Sequence, residues 1–342
     1  MDLKKNHRHD GYITINEVPT HIITYGGWLD TLQDVKEKKI VILVIPEIRI
    51  NVTFENARKM YFSGNPGMIE YYQLFMETIF ERLDRKHSVI GISHAGHVRV
   101  PDNYRIPKLS ENEHLYSVSG QLKHKLLFIE DYLPDNISLI LIGHSIGSYI
   151  SLHLMNLLPK QRVLKAILLF PTIERLAESP NGRWAWPTLT YFRPIILILV
   201  YFLSYLSTPM QYNLLEFYFR HVSNVTQGNR WSIPACTFAA SLNVLDVHCT
   251  NKWMYMAKTE MESVNELNVE LIKSNLSKLI FYYGSTDRWC PVSYYEKVKE
   301  LFPLADIKLC DKNIDHAFVL QSSAEVAKMV VKWIEMSIIR IY

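Results

Sequence analysis

Short runs of apolar residues alternate along this chain with longer stretches in which apolar positions recur at helical spacing. The runs predict buried strands and the stretches predict helices. The predicted strands are 12–15, 21–25, 40–45, 88–92, 137–142, 165–170, 278–284 and 306–310. The predicted helices are 69–83, 119–132, 148–155, 292–301 and 324–336. Because strands alternate with helices, the pattern predicts a mostly parallel sheet with helices on both faces, opened by a hairpin of the first two strands.

The alternation stops from about residue 172 to residue 275, which predicts a large insertion into the sheet scaffold. Within it, an uncharged apolar segment runs from Pro194 to Leu206, directly after Arg193. A transmembrane helix needs about 20 apolar residues, and this segment is shorter. Three interpretations are open: a helix buried in the insertion, a helix inserted into one face of a lipid surface, and a membrane span.

Composition excludes several classes of protein. The chain has 342 residues, of which 48% are hydrophobic and 21% charged, so it can bury a large core. Its net charge of +3 is too small to favour nucleic-acid binding. The first ten residues are polar and carry no apolar signal segment, so we expect a protein that faces the cytosol. None of the four cysteines has a Cys-x-x-Cys spacing, so no redox motif or metal site is predicted; they are Cys236, Cys249, Cys290 and Cys310.

The residues from Gly143 to Gly147, Gly-His-Ser-Ile-Gly, lie between a predicted strand and a predicted helix. In that context Gly-x-Ser-x-Gly is typical of a nucleophile elbow, where Ser145 is held on a sharp turn. The two glycines allow the strand and the helix to pass close together. The alternative is a glycine-rich turn that contains a serine by chance. A nucleophilic serine also needs a base, an acid that orients the base, and an oxyanion hole.

Candidates for those partners follow in the chain order serine, carboxylate, histidine. Asp287 follows a predicted strand at its C-terminal end, and His316 lies in the loop after the last strand. Alone, Asp287 could serve only the start of the next helix, and His316 could be a packed loop histidine. Asp311 and Asp315 are rivals for the acid, but Asp315 adjoins His316 and neighbouring residues rarely align for that bond. We therefore predict Ser145, Asp287 and His316 as a catalytic triad, with no cofactor or metal.

Several motifs that keep their order along most of the chain resemble the lipid droplet-associated hydrolases, a branch of the α/β-hydrolase superfamily. The motifs are Gly-Asn-Pro-Gly at 64–67 with Glu-Tyr-Tyr at 70–72, Ser-His-Ala-Gly-His at 93–97, Gly-Gln-Leu-Lys-His-Lys at 120–125, the serine turn, Phe-Pro-Thr-Ile-Glu-Arg at 170–175, Ser-Pro-Asn-Gly at 179–182, the Asp287 turn and 313–318. His94 and His97 could be taken for metal ligands, but no third ligand lies at suitable spacing, so we expect them to form hydrogen bonds near the site.

The resemblance implies a single α/β-hydrolase domain over residues 10–342, with the 172–275 insertion as a cap. It implies Ser145 as nucleophile, Asp287 as acid and His316 as base. It also implies lipid esters, sterol esters among them, as substrates. The expected location is the lipid droplet surface and the endoplasmic reticulum on the cytosolic side, with the apolar segment 194–206 contacting the droplet or membrane. A second hypothesis, from another class, is a lipid-surface protein with a weak or idle triad.

One segment departs from the family pattern. In the family the third strand runs directly into the Gly-Asn-Pro-Gly turn, whereas here residues 47–63 separate Pro46 from Gly64. The segment is either a genuine surface insertion or the product of a retained intron or mis-joined exon. It matters because the oxyanion hole needs the N–H of Ile146 and a second one from this loop, which we predict to come from Asn65. Losing one such donor costs about 10²–10³-fold in rate.

Overall fold

The computed structural model describes residues 7–32, 39–47, 51–55, 59–63, 66–221 and 234–339. Its strands are β1 (Arg8–Ile15), β2 (Val18–Tyr25), β3 (Ile40–Ile45), β4 (Asn51–Glu55), β5 (Lys59–Ser63), β6 (Ser88–Ile92), β7 (Ser138–His144), β8 (Val163–Leu169), β9 (Leu279–Gly284) and β10 (Asp306–Cys310). The α-helices of the main scaffold are α1 (Gln73–Arg82), α2 (Glu113–Tyr116), α3 (Val118–Tyr132), α4 (Ile146–Leu157), α11 (Val292–Leu301) and α12 (Ser323–Ile339). Six more follow β8: α5 (Gly182–Pro187), α6 (Arg193–Ser204), α7 (Thr208–His221), α8 (Ala235–Leu242), α9 (Val247–Ser263) and α10 (Val269–Asn275).

Eight of the strands form one sheet in the order β1-β2-β6-β3-β7-β8-β9-β10. β1 pairs antiparallel with β2, and β2 pairs antiparallel with β6. All the other pairs in this sheet are parallel. The predicted opening hairpin and mostly parallel sheet are therefore confirmed. The central strands β3, β7 and β9 are buried along their whole length, because helices cover both faces of the sheet.

The segment that departs from the family pattern forms a hairpin of its own. β4 and β5 pair antiparallel, with Asn51 opposite Ser63 and Glu55 opposite Lys59, in a two-stranded sheet separate from the large one. The sequence of this segment has no glycine or proline to mark a turn, which is why its pattern predicts no hairpin. Neither β4 nor β5 joins the large sheet, in which β3 keeps β6 and β7 as its neighbours.

Among the described residues, the insertion between β8 and β9 is helical, and its longest element runs from Gly182 to Ser204. In that element α5 continues through a π-helical turn, Thr188–Phe192, into α6. Pro194 lies in the first turn of α6, directly after the π-helical turn, where its fixed φ fits. Arg193 fastens this point to α9, since its guanidinium donates to the Asn251 side chain at 2.6 Å and to the Asn251 carbonyl at 3.2 Å.

The interpretation of the apolar segment as a buried helix is wrong. Only 11% of the most apolar stretch of Gly182–Ser204 is buried. With 23 residues, the whole element is longer than the 194–206 segment alone suggests and is long and apolar enough to cross a membrane. Its outer side, which we term the apolar cap face, presents large apolar side chains to solvent: Trp184, Tyr191, Phe192, Ile195, Ile198 and Phe202.

The glycines of the serine turn lie where backbone segments nearly touch. A Cβ on Gly147 would lie 2.2 Å from the Ile45 carbonyl oxygen, and one on Gly143 would lie 2.3 Å from the Gly147 carbonyl oxygen. Backbone atoms cannot move away as a flexible side chain can. We expect Gly147→Ala to lower the free energy of unfolding by more than about 3 kcal/mol, measured by urea denaturation. Ser151→Ala, one turn further along α4, removes a single hydroxyl bond to Gly147 and should cost about 1 kcal/mol. Equal losses would contradict the close approach.

Candidate active site

Ser145 occupies the sharp turn between β7 and α4. Its φ of 55° and ψ of −115° are unusual for a residue with a side chain, and such strain is held only where the surroundings fix it. The Ser145 N–H donates to the Leu169 carbonyl of β8 at 2.9 Å, which ties the turn to the neighbouring strand. The predicted strand, serine turn and helix agree with the local structure, although β7 extends to His144 and α4 already begins at Ile146.

Three residues far apart in sequence meet at this turn. The Nε2 atom of His316 lies 2.9 Å from Ser145 Oγ, and its Nδ1 lies 2.6 Å from Asp287 Oδ2. Both distances are those of hydrogen bonds. All three side chains are buried, at 0%, 5% and 7% exposure for Ser145, His316 and Asp287. The fold therefore places the predicted histidine between the serine and the aspartate, hydrogen-bonded to both, as a Ser-His-Asp triad requires.

Asp287 is held in place by the loop that follows β9. Its Oδ1 accepts the backbone N–H groups of Trp289 at 2.7 Å and Cys290 at 3.2 Å, and its Oδ2 accepts the Cys290 thiol at 2.9 Å. Burial by itself raises the pKa of this carboxyl, but the His316 imidazole and these donors outweigh burial and hold the pKa below its usual value. Asp287 is thus a carboxylate at neutral pH. The rival residues Asp311 and Asp315 are exposed.

The environment of His316 favours its protonated form. Burial disfavours the imidazolium, but the Asp287 carboxylate, with a further contribution from Glu47, raises the pKa of His316 above its usual value. A histidine that takes the proton of Ser145 becomes an imidazolium, so the buried acid beside it stabilises the charge that forms.

Of the two predicted oxyanion-hole donors, Ile146 and Asn65, only Ile146 lies within the described residues. Ile146 is the first residue of α4, so its N–H lies at the start of a helix, where backbone N–H groups favour negative charge. Asn65 lies outside the described residues. Thr172, a member of the 170–175 motif to which the sequence gave no role, places its Oγ1 3.4 Å from Ser145 Oγ. The roles of Ile146 and Asn65 stay predictions.

The structure adds three residues to which the sequence analysis gave no role at the site: Glu47, Tyr72 and His144. Glu47 is fully buried, and its Oε2 lies 3.1 Å from His144 Nε2 and 3.3 Å from His316 Nε2. Tyr72 Oη accepts the Glu47 N–H at 2.9 Å and lies 2.6 Å from His144 Nδ1. One signal was available, because His144 directly precedes the serine. Glu47 could not be found, because it opens a segment absent from the family pattern.

His94 and His97 bind the two ends of the inserted segment. His94 donates its Nε2–H to the Pro46 carbonyl at 3.1 Å, and His97 donates its Nδ1–H to the Pro66 carbonyl at 2.7 Å. Burial lowers the pKa of His94 well below its usual value and that of His97 to about 3, so both are neutral donors. Their expected role as hydrogen-bonding residues near the site agrees with these contacts. These two hydrogen bonds hold the chain on either side of the inserted segment, at Pro46 before it and at Pro66 after it.

An apolar cavity of about 340 Å³ lies under the cap, and residues near Asp287 and near His316 contribute to its lining. The cap lines it with Leu189, Ile196 and Val200 from the long helix and with Met254 from α9. Trp289, beside Asp287, and Leu320, beside the His316 loop, line its other side. A space of this volume and lining suits the apolar part of a lipid.

The mostly parallel eight-stranded sheet, the serine turn after β7 and the helical cap define an α/β-hydrolase. Solved structures agree with this fold. A serine hydrolase from Cycloclasticus zankles aligns with a TM-score of 0.60 at 14% identity, covering 96% of this chain and 98% of its own. A putative lipase from Acinetobacter baumannii aligns with a TM-score of 0.57 at 14% identity, covering 98% and 93%.

The sequence comparisons narrow the class to one family. The family model described as "Lipid-droplet associated hydrolase" matches residues 56–319. The human lipid droplet-associated hydrolase is 37% identical over 330 residues, 94% of this chain and 93% of its own. The protein of that name from Drosophila melanogaster is 36% identical over 329 residues, 94% and 96%. The chain belongs to the lipid droplet-associated hydrolase family, as the sequence motifs predicted.

Proposed function

We propose that this protein is a serine hydrolase that cleaves lipid esters, sterol esters among them, at the surface of lipid droplets. The observation that carries the proposal is the pair of hydrogen bonds that joins Ser145, His316 and Asp287 at the sharp turn after β7. The chain belongs to a family that is named for hydrolysis and for lipid droplets, which supports both the proposed reaction and the proposed location.

In the proposed reaction His316 Nε2 takes the hydroxyl proton of Ser145 while Oγ attacks the ester carbonyl. Asp287 accepts the Nδ1–H of His316, which keeps Nε2 facing the serine and stabilises the imidazolium. The negative charge on the carbonyl oxygen forms near the N–H of Ile146, with Asn65 as the proposed second donor. His316 then protonates the leaving alcohol, and water activated by the same nitrogen cleaves the acyl-enzyme. The residues of the chain suffice for these steps.

Two features of the cap support a lipid substrate. The apolar cavity lies beside the loops that carry Asp287 and His316, so it can hold a hydrocarbon chain or ring system of the ester. The apolar cap face lies on the same long helix that lines this cavity, so we propose that this face, with segment 194–206, lies in the droplet surface. An ester could then reach the cavity from the lipid phase. The endoplasmic reticulum and the cytosolic side stay predictions.

The test is reaction with a fluorophosphonate probe, followed by hydrolysis of a lipid ester. We expect wild-type protein to be labelled, and Ser145→Ala to be unlabelled and to lose about 10⁴–10⁶-fold in kcat. Ser151→Ala is the matched control, because it removes a neighbouring buried hydroxyl of α4 that bonds only to the helix backbone. Labelling that persists in Ser145→Ala, or an equal loss in Ser151→Ala, would refute the role of Ser145.

The second candidate function is a lipid-droplet surface protein with little hydrolytic activity. It is favoured by two observations: Ser145 is fully buried, and the Glu47 carboxylate lies 3.3 Å from the nitrogen of His316 that must accept the serine proton. Droplet binding without Ser145-dependent labelling would favour this second function over the first.

A further inference from the structure

The side chain of His144, the residue directly before the nucleophile, reaches the loop that carries His316. Its Nε2 lies 2.9 Å from the main-chain carbonyl oxygen of His316, and its Nδ1 lies 2.6 Å from Tyr72 Oη. Both distances are those of hydrogen bonds. Because His144 and Tyr72 are only 1% and 0% exposed, protein groups and not solvent hold both nitrogens of the ring.

The chemistry of the partners sets the direction of these bonds. A carbonyl oxygen only accepts, so Nε2 of His144 carries a proton and donates it to His316. Glu47 Oε2, 3.1 Å from the same Nε2, also favours a proton on that nitrogen. In the neutral ring Nδ1 then accepts the O–H of Tyr72, whose oxygen accepts the backbone N–H of Glu47 at 2.9 Å. Three hydrogen bonds therefore run in one direction, from the chain just after β3 to the carbonyl of His316.

Ring packing supports the same loop. Phe318, two residues after His316, has its ring centroid 4.7 Å from that of His144 and 6.2 Å from that of Tyr72. Phe170, directly after β8, lies 5.8 Å from the rings of both His144 and His316. Aromatic pairs at such distances contribute more than their buried area. The loop of His316 thus rests on His144 through a hydrogen bond and through ring contacts.

Proton transfer requires His316 Nε2 to lie within a narrow range of positions. It lies 2.9 Å from Ser145 Oγ, and a misplacement of about 1 Å costs roughly 10²-fold in rate. Asp287 fixes the ring of His316 through Nδ1, but the main chain of His316 lies in the loop after β10 and needs a restraint of its own. His144 supplies that restraint. Because it adjoins Ser145 in sequence, it ties the base to the nucleophile through a single residue.

We propose that His144 and Tyr72 are positioning residues, which hold the main chain of His316 so that its Nε2 meets Ser145 Oγ. The positioning follows from the contacts above, whereas its effect on catalysis rests on the proposed function. Neither residue exchanges a proton with the ester or with Ser145. The histidine of the Gly-His-Ser-Ile-Gly motif therefore has a role of its own, besides those of the serine and the glycines.

The first test is hydrolysis of a soluble short-chain ester by variants of the full-length protein. His144→Leu removes both bonds of the ring and should lower kcat about 10²-fold with KM unchanged, because a misplaced base affects only the chemical step. His144→Gln carries an N–H close to the position of Nε2 and should recover at least about tenfold of that loss. Tyr72→Phe keeps the aromatic ring but loses the hydroxyl, and should lower kcat roughly tenfold.

His124→Leu is the matched control. His124 is as buried as His144, at 1%, and its ring is also bonded at both nitrogens, to Thr20 Oγ1 at 2.8 Å and to Lys125 Nζ at 3.2 Å. Neither of these partners belongs to the serine site. We expect its kcat to stay within a few-fold of wild type, even where thermal unfolding shows the same loss of stability as in His144→Leu. An equal loss of kcat in the control, or no recovery in His144→Gln, indicates a structural role only and overturns the proposal.

The second test does not depend on hydrolysis. In protein labelled with ¹⁵N at histidine, the low-field proton resonance of His316 Nδ1–H reports the bond to Asp287. We expect this resonance in wild type, in His124→Leu and in His144→Gln, and we expect it to be shifted or lost by exchange with water in His144→Leu. Its absence from wild type, or an unchanged resonance in His144→Leu, overturns the positioning. If the resonance behaves as expected but wild type is not labelled by a fluorophosphonate, the hydrolase proposal fails and the positioning stands.

Discussion

Asp287→Asn is expected to lower kcat for ester hydrolysis about 10⁴-fold while the fold is retained. The carboxylate accepts the Nδ1–H of His316 at 2.6 Å, and its other oxygen accepts two backbone N–H groups. An amide in its place can donate to Nδ1, and the imidazole proton then moves to Nε2. A protonated Nε2 can no longer accept the proton of Ser145. Steady-state hydrolysis of a soluble short-chain ester measures the loss without any contribution from droplet binding.

The matched control is Asp315→Asn. Asp315 adjoins His316 and carries the same carboxyl group, but its side chain is exposed. We expect a change of no more than a few-fold. If Asp315→Asn were as damaging as Asp287→Asn, or if Asp287→Asn kept most of the activity, the assignment of the acid would be wrong. Circular dichroism and thermal unfolding of both variants separate loss of chemistry from loss of fold.

Replacing Ile198 and Phe202 together by aspartate is expected to lower partition onto phospholipid-coated lipid droplets by about 10²–10⁴-fold. The two side chains are 59% and 65% exposed and lie one helical turn apart on the apolar cap face. Transfer of each from water into lipid contributes roughly 1.5–3 kcal/mol, and 1.4 kcal/mol corresponds to a tenfold change in partition. Flotation of the protein with the droplets measures the partition directly.

Leu304→Asp is the control for this prediction. Leu304 is 92% exposed but lies in the loop between α11 and β10, away from the cap. Its replacement should leave flotation unchanged, and neither variant should lose activity on a soluble short-chain ester. Undiminished flotation of the double variant would exclude the apolar cap face as the droplet-binding surface. A similar loss in Leu304→Asp would indicate unspecific adsorption instead.

The sequence by itself determined the scaffold and the first member of the site. Strand and helix periodicities differ, so the alternation of the two was readable, and β7, the serine turn and α4 followed from a pattern of five residues. Asp287 and His316 could be placed at strand ends because parallel strands bring their carboxyl ends to one edge. The family could be predicted because its motifs occur in the same order along this chain, and the comparisons confirmed that prediction.

Only the tertiary structure decided which groups share one space. Glu47, Tyr72 and His144 meet around His316 because β3, the turn before α1 and β7 converge, and no periodicity records that distance. The exposure of the apolar segment likewise depended on what packs against it, since a buried helix and a lipid-facing helix have the same composition. Local patterns specify elements through short-range sterics and apolar spacing, whereas a buried charge or an exposed apolar face is a property of the packing between elements.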